Sequence, residues 1–252
     1  MRAVKVGLVA ASLCLFSGTV QAQMQGLGER EGWLLGFGVI ADFPAYDDTD
    51  SPEMIPIPYI AYEWENAHLG IDGFSYDFLG TENFELTALV EPRWSFTDPE
   101  DSPLFENIDR DTALEAGLGA TLNLGNFYLQ GQALQDISGV HEGHESSVSV
   151  GFEQDLGAFA FDLEVGAVYR NDDLNLHLYG VKADEVTASL TQYAPGETVH
   201  PYTEANLMMP IGDSMGLIAF GRVEQFEDEI KDSPLVSRDT EGTVGLVFLK
   251  QF

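Results

Sequence analysis

Residues 159–170, FAFDLEVGAVYR, decide the fold class because apolar and polar side chains alternate along them. The odd-numbered positions carry Phe, Phe, Leu, Val, Ala and Tyr, and the even-numbered positions carry Ala, Asp, Glu, Gly, Val and Arg. A period of two predicts a β-strand with one face in an apolar environment. The segment is about twice as long as the five or six residues usual for strands of soluble proteins.

The same alternation recurs at 84–96, 113–124 and 147–153, and two architectures produce it. A soluble sandwich buries its apolar faces between two sheets, whereas a transmembrane barrel turns them toward lipid. A barrel strand needs about nine to eleven residues to cross the bilayer, so segment length favours the barrel. Aromatic residues near the segment ends also favour it, as an interfacial girdle requires: Trp33, Trp64, Trp94, Phe96, Tyr169 and Phe252.

Connections of two lengths alternate along the chain. Tight turns are expected at Gly125-Asn126, Gly157 and Gly212-Asp213, and long polar loops at 97–111, 137–145, 182–198 and 228–239. Outer-membrane barrels have short periplasmic turns and longer external loops. We therefore predict an all-β, antiparallel transmembrane barrel with the tight turns at the periplasmic end.

The number of strands depends on two ambiguous segments. Around Gly73 the apolar phase switches, which indicates a bulge or an additional turn. Residues 173–181 fit either a spanning strand or an extension into an outer loop. Because single-chain bacterial barrels have even strand numbers, we predict about twelve strands, with ten as the alternative.

The N-terminal segment has the pattern of a secretory signal peptide. Arg2 and Lys5 precede an apolar stretch at 6–16, and Val20-Gln21-Ala22 resembles a cleavage site. We predict a signal peptide at 1–22, a barrel domain at 23–252 and a location in the bacterial outer membrane. The single cysteine, Cys14, falls within the predicted signal peptide, so no disulfide framework is expected.

Charge excludes some partners. The chain has 42 acidic against 11 basic side chains and a net charge of −31. Binding a polyanion needs clustered Lys and Arg, so no nucleic-acid partner is expected. The outward apolar faces are instead expected to contact outer-membrane lipid and lipopolysaccharide. Asp47, Asp48, Asp50 and Glu53 favour weak, non-specific cation binding, including binding of the divalent ions that bridge lipopolysaccharide.

Several segments resemble the MipA/OmpV family of outer-membrane proteins. Near the C-terminus these are Asp228–Val236, including Asp232, Ser233, Pro234, Leu235 and Val236, and then Gly245-Leu246. In the centre and N-terminal part they are Leu178–Val181, Tyr193–Gly196, Pro44–Tyr46 and Ile55–Pro58. The terminal Phe252, after alternating Val244, Leu246 and Phe248, resembles the sorting signal of barrels, although Lys250 departs from that pattern.

The resemblance implies a non-enzymatic function. It implies an outer-membrane protein that interacts with a murein-degrading lytic transglycosylase and scaffolds it with a murein synthase. Neither partner is indicated by the periodicity or the composition.

Candidate catalytic and metal-binding patterns are weak. His141-Glu142-Gly143-His144-Glu145 places its histidines three apart with a glycine between them, whereas a zincin needs a spacing of four on a helix. An ordinary polar loop is the better interpretation. Ser138 and Ser233 have no spacing that defines a triad, and Ser233 precedes a proline where a turn suffices. We predict no catalytic residues, no metal site and no cofactor.

The inner face of the predicted barrel carries both charges. The expected lumen-facing residues are Glu85, Glu91, Arg93, Glu115, Asp162, Glu164, Arg170, Arg222 and Glu224. Two interpretations remain: a paired network that plugs the lumen of a scaffold protein, or a narrow cation-preferring pore for ions or small solutes.

Overall fold

The computed structural model describes residues 31–46, 52–94 and 103–252. The predicted signal peptide, its cleavage site after Ala22, the three aspartates at 47–50 and Phe96 lie outside these ranges.

Twelve antiparallel strands form a closed barrel in which each strand pairs with its neighbours in sequence, and β1 pairs with β12. The prediction of an all-β antiparallel barrel with twelve strands is confirmed. The strands are β1 Gly32–Phe43, β2 Glu53–Glu63, β3 Ala67–Gly70, β4 Gly73–Gly80, β5 Phe84–Arg93, β6 Ala113–Leu124, β7 Phe127–Asp136, β8 His144–Asp155, β9 Ala160–Arg170, β10 Thr198–Ile211, β11 Met215–Gln225 and β12 Thr240–Gln251.

The first and last strands close the barrel. Their register runs from Leu34 opposite Gln251 to Phe43 opposite Gly242. The Phe252 amide donates to the Trp33 carbonyl at 2.9 Å, so hydrogen bonding continues to the terminal residue. Closure leaves neither strand with an open edge along this register.

Short turns gather at one end of the barrel. Gly125, Gly157 and Gly212 adopt positive φ values of 73°, 78° and 67° in three of these turns, a conformation that glycine adopts without steric cost. The longer connections 137–143, 171–197 and 226–239, and the described residues 103–112, lie at the opposite end. Barrels of this class keep their short turns in the periplasm, which makes the other end extracellular.

The phase switch at Gly73 corresponds to an additional hairpin. β3 spans four residues and turns at Ile71 and Asp72 into β4, with Gly70 opposite Gly73. A register shift between Asp77 and Leu79 adds a bulge farther along β4. The structure therefore contains both the additional turn and a bulge.

Residues 173–181 belong to an extension in the outer loop that joins β9 to β10, and they do not form a spanning strand. Asp172–Tyr179 is a helix, α1, and Asp228–Lys231 is a short helix, α2. The Asn171 side chain accepts a hydrogen bond from the Leu174 amide at 3.2 Å, which caps α1 at its N-terminus. Among the described residues, no helix is long and apolar enough to span a membrane.

Part of the interior is apolar. We call this set the apolar cluster, and it lies near the periplasmic ends of β1, β2, β10, β11 and β12. Its buried members are Leu34, Tyr59, Ala61, Met208, Ile218, Val247 and Leu249. The inner faces of these strands are therefore not uniformly polar.

Candidate functional site

Five ionic side chains form a continuous cluster inside the extracellular half of the barrel. This upper ion cluster consists of Arg93, Glu115, Glu145, Arg170 and Glu224. Arg93 Nε donates to Glu115 Oε1 at 2.8 Å, and Arg93 Nη2 lies 3.3 Å from Glu145 Oε1. Arg170 Nε donates to Glu145 Oε2 at 2.7 Å, and its Nη2 donates to Glu224 Oε2 at 3.0 Å.

These contacts cross the barrel. Arg93 and Glu145 lie on β5 and β8, and Arg170 and Glu224 lie on β9 and β11, so each pair joins strands that are not neighbours. In a closed barrel such strands can meet only through the interior. Each arginine contacts two carboxylates, an arrangement that compensates much of the cost of burying the charges.

Two histidines extend the upper ion cluster. His141 Nε2 lies 3.1 Å from Glu115 Oε1, and His200 Nδ1 lies 3.1 Å from Glu224 Oε1. The His141 ring also stacks on that of His177 in α1, with 5.2 Å between centroids. Burial, together with the nearby His141 and Arg110, lowers the pKa of His177 to about 3. His177 is therefore neutral at physiological pH.

A second set of polar side chains lies closer to the periplasm. Tyr128 Oη lies 3.0 Å from Asp162 Oδ2 and 2.9 Å from Glu164 Oε2, and its one hydrogen can be donated to either carboxylate. Tyr202 Oη donates to Glu164, at 2.5 Å, and Asn206 donates to Asp162 at 3.1 Å. These donors are neutral, so they hydrogen-bond the two carboxylates without supplying an opposite charge.

The other predicted lumen residues lie beside these clusters. Arg222 Nη1 donates to Glu204 at 3.3 Å, and its guanidinium lies 3.8 Å from the centroid of the Tyr202 ring. Gln132 donates to Glu91 at 3.3 Å. Glu85 occupies a pair position opposite Thr121, near the periplasmic end of β5.

The extracellular loops pack together as a cap over the barrel. Its buried apolar residues come from three separate connections, and they are Phe105, Ile108, Val181, Leu190 and Leu235. Arg110 is buried beneath this layer, where it pairs with Glu185 and donates to the carbonyls of His177 and Gly180 at 2.7 and 3.1 Å. Although burial opposes the effect, Arg110 holds the pKa of Glu185 below its usual value.

Four of the segments that resemble family motifs meet within this cap, whereas Ile55–Pro58 and Gly245-Leu246 lie in β2 and β12. Tyr46 forms an isolated β-bridge with Val236, and its hydroxyl donates to the Leu178 carbonyl at 3.0 Å. Val181 forms a second bridge with Tyr193. Sequence reasoning placed these motifs along the chain, and the structure shows that they are adjacent in space.

The serine candidates make local structural contacts. Ser233 Oγ donates to the Tyr179 carbonyl at 2.6 Å and accepts from the Leu235 amide at 3.1 Å. Ser138 Oγ donates to Asp136 at 2.6 Å. Both hydroxyls are therefore engaged in turns. Asp232 continues α2 by donating its amide to the Asp228 carbonyl at 2.9 Å, and Pro234 lies between the buried residues Ser233 and Leu235.

The histidine-rich segment is more deeply integrated than an ordinary polar loop. His141 is buried against Glu115, and Glu145 belongs to the upper ion cluster. Within residues 31–46, 52–94 and 103–252, no three His, Cys, Asp or Glu side chains are arranged to hold a metal ion.

Sequence reasoning missed the tyrosines and Arg110. Tyr128 and Tyr202 share the inner face with the acidic residues at alternate positions, so their periodicity was a usable signal. Arg110 lies in a loop without periodicity, and its burial depends on contacts with residues 67 to 75 positions away.

The sequence was compared with known proteins. Residues 35–252 match the family described as MltA-interacting protein MipA. The chain is 25% identical over 233 residues to the MltA-interacting protein of Escherichia coli strain K12, covering 90% of this chain and 93% of that protein. It is 22% identical to outer membrane protein Omp26La of Vibrio anguillarum, covering 98% and 99% of the two chains.

Solved structures show more distant similarity. A bacterial polysaccharide outer membrane secretin aligns over 88% of this chain and 99% of its own, with 11% identity and a TM-score of 0.47. An outer membrane channel from Pseudomonas putida F1 aligns over 88% and 96%, with 10% identity and a TM-score of 0.43.

Proposed function

Since this chain belongs to the MltA-interacting protein MipA family of outer-membrane proteins, we propose that it is a non-enzymatic scaffold that binds a periplasmic lytic transglycosylase. A murein synthase recruited to the same complex would couple cleavage of the wall to its extension. The name of the Escherichia coli relative supports the first partner. The second partner comes from the family resemblance.

The filled interior is the observation that carries the proposal. The apolar cluster and the hydrogen-bonded set around Asp162 and Glu164 share the periplasmic half of the lumen, the upper ion cluster crosses the extracellular half, and the loops cover the mouth. A barrel filled in this way is a rigid platform. A porin-sized channel usually requires about sixteen strands or more, whereas this barrel has twelve.

The periplasmic end offers an apolar surface for a partner. Leu156 in the β8–β9 turn is 52% exposed. An exposed apolar side chain at this end can anchor a partner, because its burial on association is favourable. We assign the transglycosylase to this end because the murein lies in the periplasm.

Binding of a purified lytic transglycosylase to the barrel in lipid nanodiscs tests the scaffold function. We expect saturable binding that weakens when Leu156 is replaced by Asp, and unchanged binding when the extracellular residue Ile137 is replaced by Asp as the matched control. Ile137 is 57% exposed, close to the value for Leu156. Absence of binding by the wild-type barrel would exclude this partner.

The carboxylates near the periplasm favour a second candidate, a narrow cation-preferring pore. Asp162 and Glu164 have neutral hydrogen-bond donors, and a surplus of negative charge concentrates cations. Under the scaffold proposal, planar-bilayer conductance is near zero, and the triple change Glu91→Gln, Glu115→Gln and Glu164→Gln lowers the melting temperature. A large cation-selective conductance that the triple change reduces would establish the pore instead.

Export is a further part of the proposal. Cleavage after Ala22 would yield a mature chain that begins at Gln23. Mass spectrometry of protein extracted from the outer membrane should give this N-terminus, and an intact Met1 would contradict it.

A further inference from the structure

The wall of the barrel contains a notch between β2 and β5. The hairpin of β3 and β4 reaches only from Ala67 to Gly80, and β2 pairs with β3 only from Ala61 to Glu63. The Ile71 amide adds one hydrogen bond to the Ile60 carbonyl, at 3.2 Å. Toward the extracellular side, no strand among the described residues pairs with this edge of β2, nor with β5 beyond Val90.

The direction of the backbone groups along β2 is fixed by Ile60. Its carbonyl points away from β1, toward β3, because it accepts from Ile71. Backbone groups two residues apart in a strand point the same way. Positions 54, 56 and 58 therefore face the notch, and two of these positions are Pro56 and Pro58.

The opposite edge shows the same feature. Phe84 is hydrogen-bonded to Thr81 through both its amide and its carbonyl, so even-numbered positions of β5 face the β4 side. Pro92 is one of them and lies beyond the last pair, Phe74 with Val90. Three prolines thus occupy positions where any other residue would direct an amide hydrogen into the notch.

The height of the notch places it in hydrocarbon. Trp33 and Tyr62 are in ring contact at 5.2 Å near the periplasmic end and mark the aromatic girdle there. With a rise of about 3.3 Å per residue and a tilt near 40°, Pro58 and Pro56 lie roughly 10 and 15 Å above Tyr62. Both lie within the apolar band of about 25 Å.

These observations determine what can occupy the notch. Unpaired backbone groups are costly in hydrocarbon; the prolines remove three of the amides, and the carbonyls at the same positions still face the notch. The same prolines prevent an added β-strand from forming a regular ladder, which disfavours a second protein chain. The outward rim is apolar, with Met54 60% and Ile60 50% exposed. Ile71, at the base, packs against the apolar cluster.

We propose that the notch is a binding site for an acyl chain of outer-leaflet lipid, which enters the plane of the wall and rests on Ile71. The barrel wall would then hold one acyl chain at a fixed position, whereas the surrounding annular lipids exchange freely along its surface.

Photolabelling of the wild-type barrel tests this site. The protein is reconstituted in vesicles of phosphatidylcholine that carries a diazirine in its acyl chain, and the labelled residues are mapped by mass spectrometry. Phe220 on β11 is the matched control, because Ile71 and Phe220 are both partly buried and pack against the same apolar residues. We expect Ile71 to be labelled like the outward-facing Leu69 and Phe220 to remain at background. Background labelling of both would overturn the proposal.

The prolines supply a second measurement. The double change Pro56→Ala and Pro58→Ala restores two amides that face lipid, and should lower the melting temperature in vesicles more than Pro210→Ala, near the end of β10. An unchanged or raised melting temperature relative to this control would show that the edge finds a hydrogen-bonding partner, and would overturn the proposal.

Discussion

The apolar cluster at the periplasmic end of the lumen and the upper ion cluster at the extracellular end are held together by opposite chemistry. In the apolar cluster, side chains such as Leu34, Ile218 and Val247 pack as in the core of a soluble protein. Near the extracellular mouth, Arg93 and Arg170 join three glutamates in one chain of ion pairs. Apolar packing depends on local shape, and each contact contributes a small amount. The upper ion cluster is stable only when all of its charges are present, because removing one charge leaves its partners buried without an opposite charge.

Removing Arg170 should produce the largest effect. Arg170→Met leaves Glu145 and Glu224 without one of their cations, and breaking a buried pair typically costs about 3–5 kcal/mol. The free energy of unfolding in lipid vesicles, obtained from urea titration, measures this loss. Arg222→Met is the control, because the Arg222 side chain is more exposed and should cost much less. Equal losses would indicate that the upper ion cluster does not act as a unit.

A cavity in the apolar cluster should cost somewhat less. Ile218→Ala removes buried methyl and methylene groups, and such changes typically cost about 2–5 kcal/mol. The same urea titration measures it. Unlike the Arg170 effect, this loss should be insensitive to salt concentration and to pH. A strong salt dependence would contradict the proposed separation between the two ends.

Acid should weaken the extracellular end selectively. His177 has its pKa lowered to about 3 in the folded protein, so the unfolded chain binds a proton first as the pH falls. The free energy of unfolding should therefore decrease as the pH falls below about 6.5. The slope of this decrease should approach roughly 1.4 kcal/mol per pH unit until the pKa of the folded state is reached. Melting temperatures between pH 7.5 and 5 measure it, and His177→Gln should flatten the profile. A slope that persists in this variant would assign the effect to another group.

Coupling between the two ends should be the smallest effect. Changes at distant sites add within about 0.3–0.5 kcal/mol, so Ile218→Ala combined with Arg170→Met should give the sum of the single losses. Arg93→Met combined with Arg170→Met should depart from additivity, because both arginines contact Glu145. A double-mutant cycle measures both cases. Strong coupling across the barrel would contradict the independence of its two ends.

Much of the fold was predictable because strands leave a local signal. The alternation of apolar and polar residues predicted the strand segments, and glycines predicted the tight turns. The phase switch at Gly73 indicated the hairpin of β3 and β4. The apolar cluster was less accessible, since β2 carries Ile55, Ile57 and Tyr59 inward and still exposes Met54 and Ile60 outward. A strand that is apolar on both faces does not reveal which one faces the lumen.

The packing of the cap could not be predicted from the local sequence pattern. Residues 173–181 fitted a spanning strand or an extension into an outer loop. They lie in the outer loop, where Asp172–Tyr179 forms α1; Asn171 caps this helix, and His141 and Arg110 contact it. The burial of His141 follows from Glu115 on another strand. Such contacts join residues far apart in the chain and appear only when the strand register is known.

The β-bridge between Tyr46 and Val236 has a consequence for assembly. These residues follow β1 and precede β12, so they meet only after the two ends of the chain have joined in register. A seam that slips by two residues would displace them by about 7 Å and prevent the bridge. Docking of these two loop segments therefore requires that the seam between β1 and β12 has closed in the correct register.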